Sequence, residues 1–325
     1  MPRPALRRSA VAAALLATAT LAACTGSDTP EAGPSPAVAQ SAAASTATSV
    51  VAAAEKALGD TTATGGTARQ AAFSGAALRS ADAWAKTLGA KSAAQRADAA
   101  LSTAAVKVLG VSRAGEEPRQ ILAQASLKKS SAPVLVLLQA AKGSDRFTVA
   151  AQTPVLAGAT VDALDAATSG SASVGDGSGL ALTPDAAVQA FAESVRYPDP
   201  KSASGLAADP AAQQLRAAAA AQAKSISGQG TFTSEHTPKG VVGGLRLAGG
   251  KGAVVFADLQ RVDAIALRNQ TKLTPGKDVT LLSGLKQITT EAALTSNETV
   301  AMVIPESGQA RVVAFSDQLV GATGR

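Results

Sequence analysis

Apolar positions along this chain fall into successive regimes. The first is a nearly unbroken run, Ala10 to Ala23, interrupted only by Thr18 and Thr20. A bilayer-spanning helix needs about 20 apolar residues, so this run is too short to cross. From Thr25 to about Thr48 the chain is Ser, Thr, Pro, Gly and Ala with almost no large apolar residue. That composition predicts a disordered tether, because it offers too little surface to bury. Helical spacing begins near Val50, with Val51, Ala54 and Leu58 in phase and Gly59 as a stop. Ala68 to Leu88 is alanine-rich but mixed, with Gly75 inside it.

The period then shortens. Residues 104–112, 120–127, 133–140 and 146–155 are four short β-prone runs separated by Ser, Gly, Pro, Lys and Asp. Such close spacing predicts an antiparallel sheet. Val134 to Leu138 is apolar on both faces and reads as a central strand. Ser169 to Gly179 is a Gly/Ser segment and predicts an internal linker. Thr183-Pro184-Asp185 then opens a helix, with a capping hydroxyl, proline at the first position and an acid at the positive end. Its stripe is Val188, Phe191, Ala192 and Val195, expected to lie against Phe256 and Phe315. Asp209-Pro210 opens a second helix to about Ile226. Strand-like runs follow at 230–235, 241–247, 252–259, 264–267, 285–294, 299–304 and 310–315, with Gly249 to Gly252 as a hairpin turn.

Each half thus places helices before antiparallel strands, an α+β order used twice. The expected organisation is a signal peptide (1–23), a tether (24–48), an N-terminal α+β domain (49–165), a linker (166–182) and a C-terminal α+β domain (183–325). The element order resembles cystatin-like and nuclear-transport-factor-two-like folds, in which a curved antiparallel sheet wraps a helix. That resemblance implies a fold and no function.

Composition sharpens this. Aromatic residues are only 2% against 46% hydrophobic residues, so Ala, Val and Leu must build the cores. Formal charge is +6, and three of the positives are Arg3, Arg7 and Arg8, which leaves +3 after position 23. The remaining cations are scattered, without the basic stripe and stacking aromatics of a nucleic-acid binder, so no nucleic acid is expected. The single cysteine, Cys24, excludes an intrachain disulfide.

Arg3, Arg7 and Arg8, the short apolar run and the small-residue exit form a secretory signal. Its ending, Leu21-Ala22-Ala23-Cys24, resembles the lipobox of bacterial lipoproteins. The resemblance implies cleavage between Ala23 and Cys24 and attachment of a diacylglycerol to the Cys24 thiol. The protein would then sit on the extracytoplasmic face of the cell membrane, held by its lipid. Together with the Ser/Thr/Pro tether and the strand-turn-strand ending at 300–315, the chain resembles a group of actinobacterial envelope lipoproteins of unassigned function. That group brings no catalytic residues to carry over.

Candidate chemistry is sparse. His236 is the only histidine and reads as an exposed residue at a strand end, where substitution by alanine would cost little. No Gly-x-Ser-x-Gly elbow accompanies it, and no second histidine follows Glu235-His236 to make a zinc-protease pattern. Ser126 with Lys129, and Ser283 with Lys286, match the Ser-x-x-Lys pattern of penicillin-binding enzymes without its companion motifs. Asp258 and Asp263 form a candidate carboxylate pair. Trp84 reads as a core filler. No cofactor or metal is expected, and no catalytic residue is assigned. The expectation is a non-catalytic binding or scaffolding role. The membrane would be reached through the lipid anchor, and the partner would be another envelope protein or an apolar ligand between sheet and helix. The alternative is a hydrolase or transferase acting on cell-wall material. An enzyme should bring His236 or a carboxylate pair into a pocket. A binding module should show an apolar cavity or patch.

Overall fold

A computed structural model describes residues 34–325 except 63, 269 and 270. Two four-stranded antiparallel sheets follow one another along the chain, each preceded by helices. The fold is α+β used in tandem. The first half runs α1 (Gln40–Gly59), α2 (Gly65–Ala72), α3 (Gly75–Thr87) and α4 (Ala93–Ala99). Then come β1 (Leu101–Val111), β2 (Arg119–Leu127), β3 (Pro133–Ala140) and β4 (Phe147–Pro154), paired in that order. These strands match the four sequence-predicted runs within a few residues.

The second half opens with α5 (Pro184–Val195) and α6 (Pro210–Ile226). Thr183 Oγ1 accepts from the Ala186 amide at 3.3 Å, and Asp209 Oδ1 from the Ala212 amide at 2.8 Å. Both caps answer the unpaired N–H groups of a helix start. The second sheet is β5 (Gly230–Arg246), β6 (Gly252–Leu267), β7 (Glu291–Pro305) and β8 (Arg311–Gly324). A short helix, α7 (Lys277–Ser283), lies between β6 and β7. The β5–β6 turn needs positive φ, which Gly249 (66°) and Gly250 (74°) supply without a Cβ penalty.

Side-chain alternation explains the layering. In the first sheet Ile121, Ala123, Val134, Val136 and Leu138 face α1, while Leu122, Leu135 and Leu137 face the other way. In the second, Val255, Ala257, Val300 and Met302 face α5 and α6, while Val254, Phe256, Ala301 and Val303 face the first sheet. The two sheets therefore pack on each other, and each carries its own helices on the far side. A strand buried on both faces must be apolar throughout, which is why Val134 to Leu138 reads as a continuous run.

Three expectations are corrected. Helix begins at Gln40, inside the stretch read as a tether up to Thr48. Ala43, Ala47, Val51, Ala54 and Ala57 form its buried stripe, and alanine gives little hydropathic signal. The Gly/Ser stretch is stitched in place instead of acting as a free linker. Ser171 N donates to Val111 O (2.8 Å), Arg246 N to Ala172 O (2.7 Å) and Val174 N to Gly244 O (3.1 Å). Glycine there serves close approach: a Cβ on Gly177 would lie 2.3 Å from Pro184 Cδ. Phe191 does meet Phe315, with ring centroids 6.1 Å apart, but Phe256 points to the opposite face, into the core between the sheets. Strand parity decides this, since Phe256 lies between Val255 and Ala257.

Candidate functional site

A cleft of about 580 Å³, within the ordinary size of ligand sites, opens beside α3. Helix α3 supplies one wall through Ala77, Ser80, Ala81 and Trp84. The end of α1 adds Glu55 and Leu58, and Arg96, Asp98 and Ala99 of α4 lie alongside. The first sheet contributes Leu101, Leu127 and Val134, with Gln152 and Thr153 at the end of β4. The second sheet closes the remaining side with Asn297, Thr299, Ser316 and Gln318.

The cleft exists because the two sheets differ in length. β3 and β4 have 8 residues each, whereas β7 and β8 have 15 and 14. The second sheet runs on past the end of the first, and α3 lies across its overhang. Asn297 Nδ2 reaches Ala76 O and Ser80 Oγ, each at 3.4 Å, and ties α3 to β7. The Phe73–Ser74 break between α2 and α3 pairs with β4, where Ser74 N donates to Val149 O at 3.0 Å. These ties hold the wall helix at both sheets. Burial pushes the Glu55 carboxyl up from its ordinary pKa, while the Leu101 amide, at 3.1 Å, and Lys128 pull the other way.

His236 is elsewhere, and the reading of it as exposed is corrected. It lies within β5, with its side chain only 1% exposed. Its Nδ1 is 2.8 Å from Glu298 Oε2, and its Nε2 is 3.4 Å from Ser234 Oγ. Arg261 gathers the surrounding carboxylates: Asp263 at 3.1 Å, Glu298 at 3.2 Å and Asp317 at 2.8 Å. Serine, histidine and glutamate in line have the outline of a catalytic triad. The chemistry does not follow, because Ser234 Oγ donates its one proton to Asp263 Oδ1 at 2.6 Å. The group is also closed in, between the α5 core and the cluster of Ile226, Phe232 and Ile265. Replacing His236 is therefore not a surface substitution. It would remove a buried partner from Glu298.

The other sequence candidates do not converge. Lys129 pairs with Asp98 at 2.8 Å, and Ser283 Oγ donates to Val279 O at 2.6 Å, so neither Ser-x-x-Lys match joins its serine to its lysine among the described hydrogen bonds. Asp258 and Asp263 are five apart on one strand and face opposite sides of the sheet, which corrects their pairing. Trp84 is half-buried in the cleft wall with Lys91 Nζ 5.6 Å from its ring, and it belongs to no core cluster. Ala23 and Cys24 lie outside the described residues. Among the described residues no group of His, Cys, Asp and Glu is arranged to hold a metal ion, and no helix is long and apolar enough to cross a membrane.

Sequence reasoning missed Gln152, Thr153, Asn297 and Thr299. Gln152, Thr153 and Thr299 are polar residues in β-prone runs, which a solvent-facing strand position produces equally well, and Asn297 falls between two such runs. Comparison with protein-family models, with curated proteins and with solved structures finds no match to this chain.

Proposed function

We propose that this protein is a lipid-anchored binding protein of the outer membrane face, one that holds an apolar ligand in the cleft beneath α3. The observation that carries the reading is the cleft itself. It is a hollow of ligand size, about half of whose lining residues are Leu, Ala, Phe, Val, Trp or Pro, and most of its wall area is apolar. Nothing in its lining resembles a nucleophile with its base, and the histidine is held on the far face of the second sheet. Support for the anchor is the signal pattern ending in Cys24.

Two measurements test the halves of this reading. Cys24→Ala should abolish incorporation of labelled palmitate and leave the chain uncleaved or shed into the medium. A variant processed and sedimented with membranes like the parent sinks the anchor. A neutral naphthylamine dye, bright only in apolar surroundings, should be taken up stoichiometrically by the purified chain. No uptake sinks the binding role.

A further inference from the structure

The lining of the cleft is segregated by charge. Arg96, Asp98 and Asp317 are exposed, at its rim. Glu55 is half-buried and already engaged by the Leu101 amide. The buried polar members are neutral: Thr153 is 0% exposed and Asn297 is 6%. Gln152 and Thr299 are half-buried and also uncharged.

Two of these groups are unfinished. Gln152 Oε1 and Thr153 Oγ1 are buried and have no hydrogen-bond partner. Buried polar atoms are nearly always paired, because an unpaired one forfeits its hydration. Strand alternation sends the two side chains to opposite faces of β4, Gln152 with Val136 toward α1 and Thr153 with Leu135 toward the second sheet, and the cleft reaches both residues at the end of this edge strand. Asn297, by contrast, is spent on α3. An amide oxygen can only accept, and a hydroxyl can accept or donate. The complement of this pair is a ligand that brings hydrogen-bond donors without charge. A buried ammonium or carboxylate would find no counter-charge beside Gln152 and Thr153, and burying an unpaired ion costs more than a hydrogen bond returns.

The geometry points to a neutral, hydroxyl-bearing amphiphile as the ligand. Its apolar chain lies along Leu58, Phe73, Trp84, Leu101 and Leu127, and its glycerol-like or sugar-like hydroxyls satisfy Gln152 and Thr153. This rests on the binding role proposed above, and it adds the chemistry of the polar end.

Competition against the naphthylamine dye separates the two claims. Monolauroylglycerol, laurate and dodecane share a chain and differ only at the head. Monolauroylglycerol should displace the dye roughly tenfold more tightly than either of the others, the worth of one or two neutral hydrogen bonds. Thr153→Val and Gln152→Leu should each erase roughly three- to tenfold of that preference and leave dodecane unchanged. Thr153→Val should unfold at the same or higher urea, because it removes an unpaired buried hydroxyl. Equal displacement by all three competitors overturns the inference while the binding role stands. So does a Thr153→Val chain that is destabilised with its preference intact, since the hydroxyl then serves the fold. Failure of the parent chain to take up the dye removes the binding role itself.

Discussion

Polar side chains are buried in two places in this molecule, and the two are opposites. Around Arg261 the groups are charged and partnered: three carboxylates, one histidine and one serine account for one another over 2.6–3.4 Å. In the cleft the charged groups stay at the rim or half-buried, the fully buried polar residues are neutral, and Gln152 Oε1 and Thr153 Oγ1 lack partners. The first arrangement closes on itself, on the face of the second sheet that α5 and α6 cover. The second lies where that sheet outruns the first and α3 roofs the overhang. A satisfied cluster specifies how four strands align. An unsatisfied one is an incomplete contact that a ligand can finish.

Breaking the satisfied cluster should have the largest effect. Arg261→Met keeps much of the aliphatic bulk and removes the cation facing three carboxylates. Glu298, with a side chain 0% exposed, would keep only His236. Loss of one partner from a buried ionic group costs about 3–5 kcal/mol. Urea unfolding of the full chain should show this as a lower midpoint. A midpoint within error of the parent would mean that the network contributes no net stability.

Asp258 belongs to neither group; it sits on the same face of β6 as Phe256, opposite Thr299 of the cleft wall in register. Its Oδ1 is another buried atom without a partner. Burial pushes its pKa from 3.8 up to about 6, although the Arg79 charge and the Thr299 hydroxyl oppose the rise. Between those two pH values the folded chain holds a proton that the unfolded chain has lost. Stability therefore falls as pH rises from about 3.8 to 6, and the penalty is complete above that. A raise of this size corresponds to about 3 kcal/mol at most. Asp258→Asn should recover about 1–3 kcal/mol at pH 7 and nothing at pH 3. A variant that gains equally at both pH values would show that the effect is packing and not charge.

The same contrast sets what was legible in the sequence. The first sheet is legible to within a few residues, because its strands are apolar and bounded by turn residues. Each long strand of the second sheet was broken in two or cut short near the ionic network. Glu235-His236, Gln260-Arg261, Asn297-Glu298 and Ser316-Asp317 look like loop composition, yet they are paired across the middle of β5, β6, β7 and β8. A charged residue in a strand reads as solvent-facing unless its partners are known, and the partners on neighbouring strands are 29–62 positions away. The start of α1 was missed for a related reason. Its buried face is alanine, which hydropathy does not distinguish from a tether. Thr183-Pro184 and Asp209-Pro210 were legible because caps are local. The cleft was not, since it is formed by a difference in strand length that no window of sequence contains.

Trp84 offers the smallest structural effect and the sharpest separation of the two sites. A large aromatic buried in a core costs about 3–5 kcal/mol when cut to alanine. Trp84 is half-buried, stands in the cleft wall and belongs to no core cluster, so little packing depends on it. What it loses inside the protein is the Lys91 ammonium at 5.6 Å, worth about 0.5–1 kcal/mol at a partly exposed site. Lys91 also keeps its ion pair with Asp278. Trp84→Ala should therefore lower stability by only about 1 kcal/mol. For the ligand the same ring is one of the few large apolar surfaces available, because the rest of the α3 wall is Ala and Ser. Losing it should weaken dye and dodecane binding together, by about tenfold or more, since the contact removed is apolar. It should leave the preference for the hydroxylated competitor in place. If Trp84→Ala instead unfolds the chain as Arg261→Met does, the ring belongs to the core, and the wall of the cleft is structure rather than site.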